Sequence, residues 1–114
     1  IRTANDHQRQ QAEKFGVELY QLPKMPANLG LSSDDTVYIS LDLDVFDPAF
    51  VPGISHHEPG GLSVRDVIGI IHNINAPIIG ADVVELNPQR DINGMTATVA
   101  AKMVKEIAGK MVAN

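Results

Sequence analysis

Asp42 and Asp44 stand one residue apart in the run V-Y-I-S-L-D-L-D-V-F-D-P, Val37 to Pro48. Val37 to Leu41 read as a buried parallel strand: apolar, β-branched or aromatic residues with no Gly or Pro. Strand side chains repeat with period two, so both carboxylates are expected to leave one face at the strand's end. Two carboxylates so close repel each other, and each resists desolvation. A divalent metal ion between them answers both problems, at the carboxyl end of a parallel strand where α/β proteins place their ligands. The alternative is a solvated acidic turn leading into Asp47-Pro48, since Asp before Pro commonly opens turns.

A third acid, Glu85, ends a second apolar run, Ile78 to Glu85. If the two strands are neighbours, Glu85 faces the same crevice. A buried Glu beside a metal-bearing pair costs several kcal/mol unless a cation meets it. A guanidinium, with planar paired donors, matches a carboxylate. Taken alone, Glu85 reads first as a surface charge at a strand end.

These residues need elements to place them. Ala4 to Phe15 is polar, rich in helix formers with one buried edge expected, and Gly16 is placed to close it. Val17 to Leu22 could be a short strand. Pro23, Pro26 and Gly30 mark a loop, and Ser32-Ser33-Asp34-Asp35 a turn. Asp47 to Gly61 is long and irregular, a kind of loop that usually carries function. Ser63 is a good N-cap with Asp66 three residues on, followed by an apolar face of Val67, Ile68, Ile70 and Ile71 that ends before Pro77. Asn87-Pro88 breaks the second strand. Met95 to Met111 is a helix with apolar Val99, Met103, Val104, Ile107 and Met111, and small Thr96, Ala97, Ala100 and Ala101 for close packing on a sheet. The order helix, strand, strand, helix, strand, helix points to an α/β layered fold with a parallel sheet. Gly60-Gly61 lacks the spacing of a phosphate-binding loop and reads as a tight turn before a helix.

The 114 residues have the length of one ordinary domain. At 44% apolar and 4% aromatic, the core must be aliphatic. Nine basic residues against 14 acidic give a net charge of -5, which argues against a partner with a phosphate backbone, so no nucleic acid is expected. Without cysteine there is no disulfide, thiolate metal site or cysteine nucleophile, which suits an intracellular chain. No apolar run approaches the ~20 residues of a membrane span, so no membrane partner is expected. Ile1-Arg2-Thr3 resembles neither a signal peptide nor a native start, and a fragment or processed chain is expected.

The residues D-L-D-V-F-D-P-A-F-V-P-G (Asp42 to Gly53), G-G-L-S (Gly60 to Ser63) and G-A-D-V-V-E-L-N-P (Gly80 to Pro88) resemble the C-terminal part of the ureohydrolase family, the arginases and agmatinases. S-H-H-E-P-G-G (Ser55 to Gly61), N-P-Q-R-D (Asn87 to Asp91) and G-M-T-A (Gly94 to Ala97) are most similar to plant-type arginases. The resemblance implies a three-layer αβα fold with a mostly parallel sheet, of which residues 1–114 are the C-terminal portion of a single domain. It implies hydrolysis of the guanidino group of L-arginine to L-ornithine and urea, with agmatine as the alternative substrate, by two Mn2+ ions that lower the pKa of a bridging water. Asp42 and Asp44 then match metal ligands, and Glu85 the residue that orients the substrate guanidinium. His56 falls on the pocket lining, where it could touch substrate or simply fill the loop. Arg65 and Arg90 could pair across subunits, with solvent exposure the default. A homotrimer or homohexamer is implied, located in mitochondria if plant-type and otherwise in the cytoplasm.

The family's other metal ligands lie in G-G-D-H and D-A-H-x-D motifs, and its proton-shuttling His also lies upstream; neither motif occurs here. Asn5-Asp6-His7-Gln8 is a poor imitation on a predicted helix, and His7, His57 and His72 read as surface or loop positions. Two carboxylates alone hold a hard cation weakly. The segment by itself is therefore expected to be inactive and to expose a sheet edge. A catalytically dead module that keeps the fold, or an unrelated metal hydrolase, are the competing readings.

Overall fold

The computed structural model describes residues 4–22, 24–26 and 29–113. Its first helix, α1 (Asp6–Lys14), is held by its ends. Asn5 and Gln8 form a reciprocal capping box, with Gln8 N–H donating to Asn5 Oδ1 at 2.8 Å and Asn5 N–H to Gln8 Oε1 at 2.9 Å. At the other end Gly16 takes φ 66°, and the Val17 and Gly16 N–H groups donate to the Ala12 and Glu13 carbonyls. That pairing is a Schellman motif, which requires the left-handed residue that glycine supplies. The buried edge expected on this helix is absent: none of its residues is buried, and Gln11 and Ala12 are only half-buried.

Val17 to Leu22 form no strand. A strand persists only when its N–H and C=O groups find a ladder, and this extended stretch meets none among the described residues. Pro23 and Ile1-Arg2-Thr3 lie outside the described residues. At the Ser32 turn, Asp35 Oδ2 accepts from Ser32 N–H (2.8 Å) and Oγ–H (2.9 Å), which holds the Asp35 carboxyl below its ordinary pKa.

Two strands, β1 (Val37–Asp42) and β2 (Ile78–Val84), pair in parallel, with Ser40 opposite Asp82, Leu41 opposite Val83 and a register shift between Val37 and Tyr38. Between them the chain crosses over through α2 (Val64–His72). The parallel pairing matches the expectation; full burial does not. Val37, Ile39 and Leu41 pack against the core, while Tyr38, Ser40 and Asp42 are exposed, Tyr38 to 61%. Asp82 ties this outer row: it accepts from Tyr38 Oη at 3.0 Å and Ser40 Oγ at 2.7 Å. The Tyr38 bond to Asp82, then the nearby charge, raises the phenol above its ordinary pKa. The Tyr38 ring lies over Gly80, where a Cβ would come within 2.8 Å of it.

The capping box read at Ser63 and Asp66 is present, with Ser63 N–H and Oγ–H both donating to Asp66 Oδ2, and these bonds hold the Asp66 carboxyl below its ordinary pKa. Val67 and Ile71 of α2 are buried, together with Ile74 beyond its end. The last helix, α3 (Met95–Ala113), buries Thr96, Ala100, Met103 and Ile107, a stripe at i, i+4, i+7 and i+11. Val104 and Met111, expected on that face, fall to one side of the stripe and are exposed, Val104 to 53%. His72 at the end of α2 grips α3 through Glu106 (Nε2 to Oε2 2.6 Å); Lys102 also reaches Glu106, and Lys110 Nζ donates to the His72 carbonyl at 3.1 Å. Lys102, then His72, hold the Glu106 carboxyl below its ordinary pKa. The centre of the core is Leu43, Phe46, Val51, Ile54 and Met103, all wholly buried, so the long loop after β1 packs inward with α2 and α3.

Candidate metal centre

The site forms where β1 and β2 end. β1 stops at Asp42, and Leu43–Val45 make a turn of 3-10 helix that sends Leu43 into the core. Asp42 caps that turn, its Oδ1 accepting from Asp44 N–H at 2.8 Å. The period-two premise thus ends at Asp42, because Asp44 no longer has strand geometry. Both residues nevertheless line one groove of about 710 Å³ along β1 and α2, with Glu58 on its rim.

Asp44 faces the loop that follows. His56 Nδ1 lies 2.9 Å from Asp44 Oδ2, and the His56 N–H reaches Oδ1 at 3.5 Å. The Asp44 side chain is only 16% exposed, that of His56 82%. Glu85 follows β2 directly, with φ 68°, a left-handed conformation that side chains other than Asn and Asp rarely take. Glu85 is exposed, so the burial cost anticipated for it does not arise. Asp44, His56 and Glu85 each offer a ligand atom within 4.8 Å of the other two. Asp42 adds a carboxylate on the same groove and stands outside this triad.

Backbone pairing fixes the loop that carries His56. Ile54 bridges to Leu86, and Asn87 N–H donates to the Gly53 carbonyl at 2.8 Å. Gly53 N–H donates to buried Thr96 Oγ1 at 2.7 Å. Asp47 closes the far end: its Oδ2 accepts from Gly60 N–H (2.7 Å) and Gly61 N–H (3.3 Å), while Oδ1 accepts from Ala49 N–H at 2.9 Å. Asp91 accepts from Thr96 and Ala97 N–H at the start of α3. Burial pushes its carboxyl up, but those hydrogen bonds outweigh it and the net shift is down. Arg90 is exposed, as expected, and from there donates from Nη1 to the Ser55 carbonyl at 2.9 Å, while His57 Nε2 lies 2.8 Å from the Pro52 carbonyl. Arg65 is exposed, and His7 lies on the exposed face of α1. Sequence reasoning passed over Asp91 and Thr96; an Asp four residues before a helix was the available signal.

The donors suit a hard or borderline divalent ion: carboxylate oxygens with one imidazole, on neighbouring strand ends. They are too few to fix two ions against each other. The molecule is therefore an α/β protein with an acidic crevice at the carboxyl edge of a parallel sheet.

Residues 1–109 match the model of the arginase family, and the chain belongs to that family. It is 54% identical to "Arginase 1, mitochondrial" of Arabidopsis thaliana over 97% of its own length and 35% of the relative's. An agmatinase of Bacillus cereus is more distant, at 34% identity over 94% of this chain and 39% of the relative. Among solved structures, the arginase from Medicago truncatula superposes with a TM-score of 0.87 at 43% identity, covering 97% of this chain and 38% of that one. A T. brucei arginase-like protein variant bound with Mn2+ gives 0.77 at 29% identity, over 96% and 40%. The chain thus spans about 35% of the length of the curated plant arginases it matches. Among the described residues no helix is long and apolar enough to cross a membrane.

Proposed function

We propose that the chain is the C-terminal portion of a single ureohydrolase domain that converts L-arginine and water to L-ornithine and urea. One observation carries this reading: Asp44 and Glu85, from the ends of adjacent parallel strands, offer carboxylate oxygens within 4.8 Å of each other, and Asp42 lines one groove with Asp44. Asp42 and Asp44 are the ligands this segment contributes to a pair of Mn2+ ions. When bound, such a pair supplies hydroxide near neutral pH and stabilises charge at the attacked carbon. Glu85 receives the substrate guanidinium through paired, charge-assisted hydrogen bonds, which aims the central carbon at the metal side of the crevice. His56 orients the Asp44 carboxylate through its 2.9 Å contact and closes the pocket wall beside Glu85. The remaining ligands and the proton-shuttling His belong to the upstream part of the domain. The greater likeness to plant arginases supports arginine over agmatine and a mitochondrial location, and the family resemblance implies a homotrimer or homohexamer.

The test is Mn2+-dependent urea release by the longest chain containing these residues, with arginine and agmatine compared. Release from arginine that disappears in Asp44→Ala is expected, and the 114-residue chain alone should release none. Equal or greater release from agmatine would replace the substrate. An inactive long chain that binds no Mn2+ would leave a non-catalytic family member.

A further inference from the structure

We propose that Asn93-Gly94 is a site of spontaneous deamidation, and that its isoaspartyl product loosens the anchorage of the loop that carries His56. The reaction needs neither the metal nor the substrate proposed above.

The two residues turn the chain into α3. Met95 N–H donates to the Ile92 carbonyl at 3.0 Å, and both residues between them have positive φ, 53° at Asn93 and 69° at Gly94. Positive φ at both central positions is the pattern of a type I′ turn, which selects Asn-Gly. The turn explains the pair structurally, and it also sets up a reaction. An asparagine amide is open to attack by the next backbone nitrogen when that residue has no Cβ to obstruct it. Even a Cβ built on Gly94 would meet nothing within 4 Å. Both residues are exposed, and among the described residues no hydrogen bond engages the Asn93 side chain or the Gly94 N–H. Helix α3 makes no use of that N–H. Gly94 stands at its capping position and serves through its carbonyl, which accepts from Thr98 N–H at 2.9 Å and Oγ–H at 2.8 Å.

The Gly94 nitrogen bonds to Asn93 Cγ and gives up its proton, and the side-chain nitrogen leaves with that proton as ammonia. Ring closure needs only rotation about bonds of Asn93, because the ring atoms are chain neighbours. Water then opens one of the two ring C–N bonds. Opening at Cγ restores the backbone with aspartate at position 93. Opening at the backbone carbonyl leaves isoaspartate, with the main chain running through Cβ and Cγ. The products differ in consequence. Aspartate tolerates positive φ, and its charge is favourable near a helix N-terminus. Isoaspartate lengthens the main chain by one carbon–carbon bond, about 1.5 Å. That length enters between Asp91 and Thr96. Asp91 accepts from the Ile92, Thr96 and Ala97 N–H groups, and Thr96 Oγ1 accepts in turn from Gly53 N–H. A longer chain inside this clasp works against the bonds that hold residues 53–56.

The experiment ages the longest chain containing these residues in mildly alkaline buffer, beside a peptide spanning Asp91 to Ala97, until half of the peptide's amide is lost. Peptide mapping should find acid at position 93, part of it labelled by a methyltransferase specific for isoaspartyl groups. Asn73 and Asn75, followed by Ile74 and Ala76, should keep their amides. The guanidinium unfolding midpoint of the aged chain should fall. Asn93→Gly, which allows positive φ without an amide, should hold its midpoint through ageing. Fresh Asn93→Asp should match the unaged chain, which separates the added charge from the lengthened backbone. An amide at position 93 that survives while the peptide loses its own would overturn the site. An isoaspartyl chain with an unshifted midpoint, or an Asn93→Gly chain that weakens as fast, would overturn its link to the loop.

Discussion

Gly53→Ala tests how the His56 loop is held. A Cβ at position 53 would lie 2.8 Å from Asp91 Cβ and 2.9 Å from both Thr96 Cβ and Oγ1, where carbon pairs rest at about 3.5–4.0 Å. Neither neighbour can yield. Thr96 is wholly buried in the first turn of α3, and Asp91 is pinned by the Thr96 and Ala97 N–H groups. The backbone must move instead, which costs about 1–3 kcal/mol for overpacking. Moving it also loosens the buried Gly53 N–H bond to Thr96 Oγ1, worth about 1 kcal/mol more. The sum is about 2–4 kcal/mol, and with a urea dependence of about 2 kcal/mol per M the unfolding midpoint should fall by roughly 1–2 M. Gly69→Ala is the matched control: nothing lies within 4 Å of its added Cβ, and it sits inside α2. There alanine should gain about 0.5–1 kcal/mol through helix propensity. Equal midpoints for the two variants would refute the packing account of the loop.

Two further outcomes follow from local geometry. The carboxyls of Asp35, Asp66 and Asp91 all sit below the ordinary 3.8, so the folded state holds them ionised more readily than the unfolded chain. Their contribution is fully present above that value and is lost as pH falls through the lower folded values. Urea midpoints should therefore drop below about pH 4, and less so in Asp66→Asn, which has already given up its share; a midpoint flat from pH 5 to 2.5 would contradict this. Glu85→Gly should relieve the left-handed strain at φ 68° and raise stability by about 0.5–2 kcal/mol, net of the entropy that glycine loses on folding. A drop in stability would mean that contacts of the Glu85 side chain outweigh the strain.

Much of this was legible in the chain because the signals were local. The Ser63–Asp66 capping box, Gly16 at the end of α1, the parallel strands at Val37 and Ile78 and the final helix all rest on residues within a few positions of one another. Failures came where partners are distant. Val17 to Leu22 had strand composition without a ladder, and both strands looked wholly buried because apolar content does not reveal which face a helix covers. The site divides in the same way. Asp44, Glu85 and His56 were readable as candidates by residue type and motif. Their meeting depends on the turn after Asp42, the positive φ of Glu85 and the Gly53–Thr96 clasp, none of which has a short-range pattern.

That division bears on how the crevice functions. The carboxylates supply charge, but their separation is fixed by groups with no chemistry of their own: a glycine that admits close approach, a threonine acceptor, and aspartates that occupy backbone N–H groups at Gly60 and Thr96. Substitutions at the first set that keep the backbone's preferences, such as Glu85→Gln and His56→Gln, should change function with little change in stability, because both side chains are exposed. Substitutions at the second set should change both together, because the loop carrying His56 moves with them. A Gly53→Ala variant of the longer chain that lost several kcal/mol of stability yet kept Mn2+-dependent urea release unchanged would break this link. It would show that the triad assembles through the strand ends alone, without the loop's anchorage on α3.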